Sequence, residues 1–319
     1  MVRRLLLCTA LAWSGCATPP RPANPIQAAL QKSIAYLERE VPAWSRENNC
    51  FSCHNNGDGA RALFASRIRG VPVPASATDD TLSWLQKPTA WDHNKGDPGF
   101  SDIRLADLQF FTSLAAAEKA GLVRESRALA QAADRVVAGQ AVDGSWPIDQ
   151  RAPAGSPATY GTPLATHLAV ESLQRIPGPT ARAAITRGRD WLRACPIETI
   201  PSAAAVLLAF PQPSGTVERT RRDQALGLLQ RGQHLDGGWG PFADSASEPY
   251  DTALALLALD SLADSAAFLE ARRKGEKFLL TEQRPDGSWP ATTRPRGGQS
   301  YAQHISTSAW AAMALLKSK

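Results

Sequence analysis

A seven-residue unit that starts with glutamine and ends with tryptophan occurs three times in this 319-residue chain. The copies are residues 140–146, 233–239 and 283–289, and each has Asp-Gly at its fourth and fifth positions. Asp-Gly favours a tight turn because glycine readily takes a positive φ angle. A unit that recurs at intervals of tens of residues indicates a repeat architecture rather than three unrelated turns.

Each copy stands between two stretches that have the hydrophobic spacing of helices. Trp146 and Trp239 are 93 residues apart, close to twice the 50 residues between Trp239 and Trp289, so one unit without the motif is predicted between them. Cys195 stands where the motif of that unit would begin. Helices are predicted over residues 26–41 (ended by Pro42), 58–68, 79–85, 101–119, 124–138, 162–173, 180–194, 201–210, 217–231, 250–262, 266–282 and 305–317. Six units of two helices predict an all-α ring in one domain.

The motifs resemble the Gln-Trp repeats of the superfamily that contains squalene–hopene cyclases, oxidosqualene cyclases and protein prenyltransferases. The resemblance runs from about residue 27 onward and implies a single (α/α)6 toroid of about twelve helices. In such toroids the second helix of each pair usually lines the centre, and the Ala-rich second helices here suit close packing. The resemblance is specific for fold and says little about function.

The catalytic residues of that superfamily are matched only in part. Its cyclases protonate an alkene with an Asp-x-Asp-Asp motif, whereas this chain has Ala77-Thr78-Asp79-Asp80, which is interpreted as a helix N-cap. Its prenyltransferases hold zinc with an Asp, a Cys and a His. His304 is near the place of that histidine, but no Asp-x-Cys precedes it. An active cyclase or prenyltransferase is therefore the least favoured function.

The first residues have the pattern of an export signal. Arg3 and Arg4 precede an apolar run over residues 5–13, and Ser14-Gly15-Cys16 resembles a bacterial lipobox in which Cys16 would be lipidated. The alternative is simple cleavage after Ala17, with loss of Cys16. We expect a signal over residues 1–16, a stiff Pro-rich tether over 17–26 and the toroid over 27–319. Either route predicts export to the periplasm, and lipidation predicts a membrane anchor.

The run Cys50-Phe51-Ser52-Cys53-His54 matches C-x-x-C-H, the attachment signature of c-type haem. Two thiols at this spacing can form thioethers to both haem vinyl groups, and the adjacent histidine supplies a proximal ligand to iron. The alternatives are a Cys50–Cys53 disulfide and a zinc site completed by His93. For the distal haem ligand we expect His93 first, with Met313 or an open position as alternatives.

Polar and aromatic residues near the starts of the later inner helices suggest a second site. Tyr250 with Asp251, and Tyr301 with His304, would face one mouth of the ring and could bind a ligand there. Their alternative role is helix capping and packing. His167 lies on a predicted inner helix, where a core histidine is the favoured interpretation and a functional one the alternative.

These features predict an exported, lipid-anchored c-type haem protein that acts in electron transfer or haem-linked redox chemistry with a redox partner. The alternative is a scaffold without haem whose ring mouth binds an isoprenoid, a glycan or a protein. The net charge of +5 comes from scattered arginines rather than a cluster, so nucleic-acid binding is not expected.

Overall fold

The computed structural model describes residues 24–93, 103–123, 126–148, 161–262, 265–292 and 300–318. The predictions for Cys16, the export signal and most of the tether fall outside these ranges. Within them the chain is helical and has no strand. The helices are α1 Pro25–Asn48, α2 Ala60–Ile68, α3 Asp79–Leu85, α4 Ile103–Lys119, α5 Ser126–Ala138, α6 Gly161–Leu173, α7 Pro179–Ala194, α8 Ile200–Ala209, α9 Thr216–Gly232, α10 Pro249–Ser261, α11 Leu269–Glu282 and α12 Tyr301–Lys317. None of them is long and apolar enough to cross a membrane.

The even-numbered helices form a closed inner ring. Each packs on the next in order from α2 to α12, and α12 packs back on α2. Helices α5, α7, α9 and α11 pack outside the ring, each on the inner helix that precedes it, and α1 packs on α12 in the same way. The predicted (α/α)6 toroid is confirmed. Because each unit runs from outer to inner helix, all inner helices begin at the same end of the ring.

The glutamine of each motif joins neighbouring units. Its Nε2 donates to the carbonyl of the motif glycine and to a carbonyl in the next outer helix. The pairs to the next helix are Gln140–Ala184 at 2.9 Å, Gln233–Ala271 at 2.8 Å and Gln283–Ala29 at 2.9 Å. The last bond connects the sixth unit to α1, so the third motif closes the ring.

The tryptophan of each motif fixes the turn to its own unit. All three indoles are buried, and each Nε1 donates to a carbonyl ten residues upstream at 2.6–2.7 Å. The backbone N–H of each tryptophan in turn donates to a hydroxyl oxygen of the following inner helix, namely that of Thr166, Thr252 or Ser308. The motif therefore satisfies the polar groups at the helix ends while it buries a large apolar face.

The unit without the motif is held by ion pairs instead. Glu218 in the first turn of α9 is 3% exposed, and its Oε1 accepts from Arg193 Nη2 of α7 at 2.8 Å. Its Oε2 accepts from the backbone N–H and the hydroxyl of Ser214 at 2.8 and 2.9 Å. Arg221 of α9 donates to the carbonyl of Cys195, whose thiol is buried as an apolar side chain would be.

We expect Glu218→Ala to lower the free energy of unfolding by about 2 kcal/mol at pH 7, less than for a fully buried pair because Arg193 is a third exposed. Burial opposes the charge, but the bonds from Ser214 and Arg193 bring the pKa of Glu218 to about 2. Its contribution is thus complete above the ordinary carboxyl pKa and is lost as the pH falls from about 4.5 towards 2. Urea titrations at pH 7 and pH 3 measure both effects.

The matched control is Glu270→Ala, because Glu270 also lies in the first turn of its outer helix, α11, and its side chain is 73% exposed. That change should cost less than about 0.5 kcal/mol. Equal costs for the two variants, or a Glu218→Ala deficit that persists unchanged at pH 3, would contradict this role.

Several predicted helix boundaries are wrong: α11 begins at Leu269 rather than at residue 266, α12 begins at Tyr301 rather than at residue 305, and two more differ in the first unit. Pro42 does not end α1, which continues to Asn48. The residue that follows the helix, Asn49, has a φ of 51°. Pro42 is buried, and in the turn that follows it Ser45 Oγ donates to Asp80 Oδ2 at 2.5 Å, so tertiary contacts outweigh one lost backbone bond. The predicted helix at 58–68 is extended too, because a π-helical turn over Cys53–Gly59 leads directly into α2.

Candidate functional site

A cavity of about 1060 Å³ occupies the ring centre at the C-terminal ends of the inner helices. All six inner helices contribute to it, and half of the lining side chains are apolar. Among these are Ala65 of α2, Ala116 of α4, Leu168 of α6, Leu208 of α8, Leu257 of α10 and Met313 of α12. This volume is at the upper end of the range for small-molecule sites, about 300–1,000 Å³.

The rim of the cavity is basic. Arg69, Lys119, Arg175 and Lys317 lie at the ends of inner helices and are exposed. Arg175 pairs with Glu118, whereas Glu171 is the one acidic residue that lines the cavity among those the structure describes. Helix C-termini carry partial negative charge, which these cations offset. The positive charge that exceeds this offset would attract an anion.

Three side chains from different helices form the inner part of the cavity, called here the floor: Arg61 of α2, His167 of α6 and Trp310 of α12. They lie nearer the starts of their helices than the rim residues do, and Arg61 and His167 are 8% and 6% exposed. The guanidinium carbon of Arg61 lies 4.4 Å from the Trp310 ring centroid, a cation–π contact that desolvation strengthens.

A buried network behind the floor holds Arg61 in place. Its Nη2 is 3.5 Å from Asp58 Oδ1. The other oxygen of Asp58 accepts from Ser306 Oγ at 2.6 Å and from Gln109 Nε2 at 2.9 Å. His54 Nδ1 is 3.0 Å from the same Ser306 hydroxyl. The network therefore links α2, α4 and α12 to the C-x-x-C-H segment.

His167 is a neutral imidazole at pH 7. Burial lowers its pKa below the usual value, opposed by Glu171 and assisted by the positive charges of Arg61 and Arg189. Its Nε2 lies 3.7 Å from Glu171 Oε2, and its Nδ1 has no hydrogen-bond partner among the described residues. The cavity floor thus combines one cation with a neutral imidazole, whose Nδ1 is enclosed by the surrounding side chains.

The C-x-x-C-H segment does not contact this cavity. Cys50 and Cys53 are half-buried and are not joined in a disulfide. His54 is 8% exposed and lies inside the polar network, whereas an iron ligand needs an accessible imidazole nitrogen and space for the haem beside it. In this conformation the three residues do not fit a haem. Covalent attachment at Cys50 and Cys53 stays a prediction.

The other predicted metal ligands are not assembled around His54. His93 ends a short 3-10 turn, and its side chain is outside the description. Met313 lies on α12, where it lines the central cavity rather than the haem motif. No group of three or more His, Cys, Asp or Glu side chains within the described ranges could hold a metal ion.

The four residues predicted to form a ring-mouth site lie in two different environments. Tyr250 and Asp251 are fully buried, and the Tyr250 ring packs edge-on against Trp310 at 6.1 Å. Tyr301 stacks on Trp44 and donates to Glu40 Oε2 at 2.8 Å, while His304 Nε2 lies 2.9 Å from Ser288 Oγ. These contacts are packing and capping contacts, the alternative interpretation of the sequence.

The floor and rim residues were not predicted as a site, apart from the functional alternative for His167. One signal was present in the sequence: Arg61 interrupts an Ala/Leu run at the start of an inner helix. Charged residues are seldom buried without a partner or a role, so such an arginine marks a candidate. The rim residues carry no comparable signal, because single basic residues at helix C-termini are common.

Comparisons with known proteins agree with the fold. No protein-family model matches the chain. It is 30% identical over 236 residues to drimenyl diphosphate synthase of Streptantibioticus cattleyicolor, covering 68% of this chain and 41% of the relative. It is 25% identical over 130 residues to lanosterol synthase of Aspergillus fumigatus, covering 39% of this chain and 17% of that relative. The chain thus spans less than half the length of either relative.

Among solved structures, the type II terpene cyclase MstE of Scytonema, bound to geranylgeranyl dihydroxybenzoate, superposes with a TM-score of 0.55. The match covers 92% of this chain and 97% of that one at 13% identity, which shows the fold alone. The chain therefore has the α/α toroid of type II terpene cyclases. The two curated relatives are named as terpene and sterol synthases. Other solved structures that share the fold are a polysaccharide lyase, with a TM-score of 0.55, and a glycosidase in complex with glucose, with a TM-score of 0.59.

These findings overturn the predicted function. The assignment to electron transfer or haem-linked redox chemistry is wrong, because the curated relatives are a drimenyl diphosphate synthase and a lanosterol synthase. The predicted redox partner has no support from these relatives. The physical reason for the error is local. A five-residue pattern was interpreted as a haem site, whereas the fold places its histidine, His54, in a buried hydrogen-bond network. Export and lipidation at Cys16 stay predictions.

Proposed function

We propose that this chain is a terpene cyclase-like protein whose central cavity binds an isoprenoid with an anionic head group. The observation that carries the proposal is the cavity itself, which has apolar side chains from all six inner helices in its wall and a basic rim. The chain of the ligand would lie against the wall, at a gain of about 0.8 kcal/mol per buried methylene. The head would lie at the rim.

The anionic head is supported by charge. Five basic residues and one acidic residue line the described cavity, and four of the basic ones are at the rim. The relative that matches most of this chain is named for a diphosphate, drimenyl diphosphate. Phosphate oxygens accept charge-assisted bonds from lysine and arginine, so a diphosphate is the favoured head group.

We expect geranylgeranyl diphosphate to bind in isothermal titration calorimetry, with an affinity that falls as salt is raised. Lys119→Ala and Lys317→Ala should each weaken binding about fivefold, since one exposed charge contributes about 1 kcal/mol. Lys274→Ala is the matched control, because Lys274 is an exposed lysine on outer helix α11. The proposal is wrong if the diphosphate does not bind, or if all three variants bind equally.

We expect this chain to bind geranylgeranyl diphosphate without catalysing its proton-initiated cyclisation. Asp79 and Asp80 are exposed at the start of α3 and do not line the cavity. Glu171, the one carboxylate in the described lining, is exposed to solvent rather than enclosed in the inner part of the cavity. Gas chromatography with mass spectrometry after phosphatase treatment should therefore recover only the linear alcohol. A cyclic product would refute this restriction to binding.

A further inference from the structure

One of the four rim cations is held by a carboxylate before any ligand arrives. Arg175 follows the C-terminal end of α6, and its Nη2 donates to Glu118 Oε2 near the end of the neighbouring inner helix α4. No carboxylate partner is found among the described residues for Arg69, Lys119 or Lys317. Three rim cations can therefore receive an anionic head group directly, whereas the fourth must first leave its partner.

The ion pair is accessible to such a head group. The side chains of Arg175 and Glu118 are 36% and 37% exposed. Arg175 lines the cavity, whereas Glu118 does not contribute to the described lining, so the carboxylate holds the guanidinium from outside the cavity. Exposed ion pairs are weak because water and salt screen them. A phosphate group at the rim can thus compete with Glu118 for the same guanidinium.

Glu118 is in an unfavourable position for its own helix. It is the last residue but one of α4, where the helix dipole carries partial negative charge and repels a carboxylate. Arg175 is the one hydrogen-bond partner of its side chain among the described residues. The stability of α4 therefore gives no reason for an acidic residue here. Because glutamine keeps the shape of the side chain, Glu118→Gln should unfold at the same urea concentration as the unaltered protein.

We propose that Glu118 is an internal competitor for the anionic head group of the ligand. Its carboxylate occupies Arg175 in the empty cavity, and the diphosphate takes over the guanidinium when it binds. Phosphate and carboxylate oxygens accept the same paired bonds from arginine, so the exchange needs no new geometry. Glu118 thereby sets how tightly the rim holds its ligand. This inference rests on the proposed function, since it requires the head group to occupy the rim.

The test is a double-mutant cycle on Glu118 and Arg175, with geranylgeranyl diphosphate as the probe and calorimetry on the full chain. Glu118→Gln should tighten binding about fivefold, because it releases one cation and removes one repelling charge. Arg175→Ala should weaken binding about twofold at most in the unaltered protein, but about fivefold in Glu118→Gln. Such coupling is expected of two residues in contact and not of independent sites.

Glu270→Gln is the matched control, because it removes the same charge from the exposed pair of Glu270 with Lys274 on outer helix α11. It should leave the affinity unchanged. If the diphosphate binds to none of these proteins, the proposed function fails and this inference fails with it. If it binds, but no more tightly to Glu118→Gln, the cavity function stands and the competition is refuted. A gain that persists undiminished beside Arg175→Ala would also refute it, because Glu118 would then act without Arg175.

Discussion

Gly287→Ala, in the third motif, is expected to lower the free energy of unfolding by about 4 kcal/mol. This cost should exceed that of a glycine-to-alanine change at any position outside the motifs. Gly287 has a φ of 95°, which a side chain tolerates poorly. An added Cβ would also collide with the backbone carbonyl of Lys32 in α1. Because a backbone carbonyl in a helix cannot move aside, the sixth unit would have to separate from the first.

Gly121→Ala is the matched control. Gly121 follows α4 with a φ of 72°, but a Cβ there would meet no atom within 4 Å. It should cost only the conformational strain, about 1 kcal/mol. Urea denaturation measures both variants, and hydrogen exchange should show faster opening of α1 in Gly287→Ala alone. Equal costs would mean that ring closure does not depend on this contact.

The toroid was predictable because its determinants are local and repeated. Gln283 and Trp289 have the same partners, relative to their own unit, as the glutamine and tryptophan of the other two copies. A chain that repeats the same junction has few ways to assemble, so three copies were enough to predict the ring. The unit at Cys195 shows that an ion pair around Glu218 can replace the motif without changing the fold.

The site was less predictable because it depends on which residues meet across the ring. Arg61, His167 and Trp310 are far apart in the sequence, and only closure of α12 onto α2 brings their helices together. The C-x-x-C-H pattern had the opposite property, since it is complete within five residues. Its local chemistry was clear, but the pattern could not show that His54 would be covered by Ser306 of α12.

Tyr250 and Asp251 illustrate the same limit. The prediction that they lie at the start of an inner helix is confirmed, because α10 begins at Pro249. The side to which their side chains turn was not determined by that position, and both are fully buried. A helix start specifies which end of the ring a residue occupies, whereas the rotation of the helix decides whether that residue faces a ligand, a neighbour or solvent.

Ala116→Trp is expected to weaken binding of geranylgeranyl diphosphate about fifty-fold while leaving the fold intact. Ala116 lies on α4, is only partly buried and lines the cavity, so a larger side chain can extend into the empty volume without disturbing the packing between helices. An indole at this position would displace roughly three methylene groups of the ligand. At about 0.8 kcal/mol each, the loss is about 2.4 kcal/mol.

Ala130→Trp provides the control, because Ala130 is exposed on outer helix α5 and away from the ring centre. Both variants should unfold within about 0.5 kcal/mol of the unaltered protein, and only Ala116→Trp should lose affinity in calorimetry. If Ala116→Trp binds as well as the control, the isoprenoid does not occupy the central cavity. A loss of affinity that matches a loss of stability would instead show that the indole disrupts α4, and Ala65→Phe on the neighbouring inner helix α2 would then repeat the test with a smaller ring.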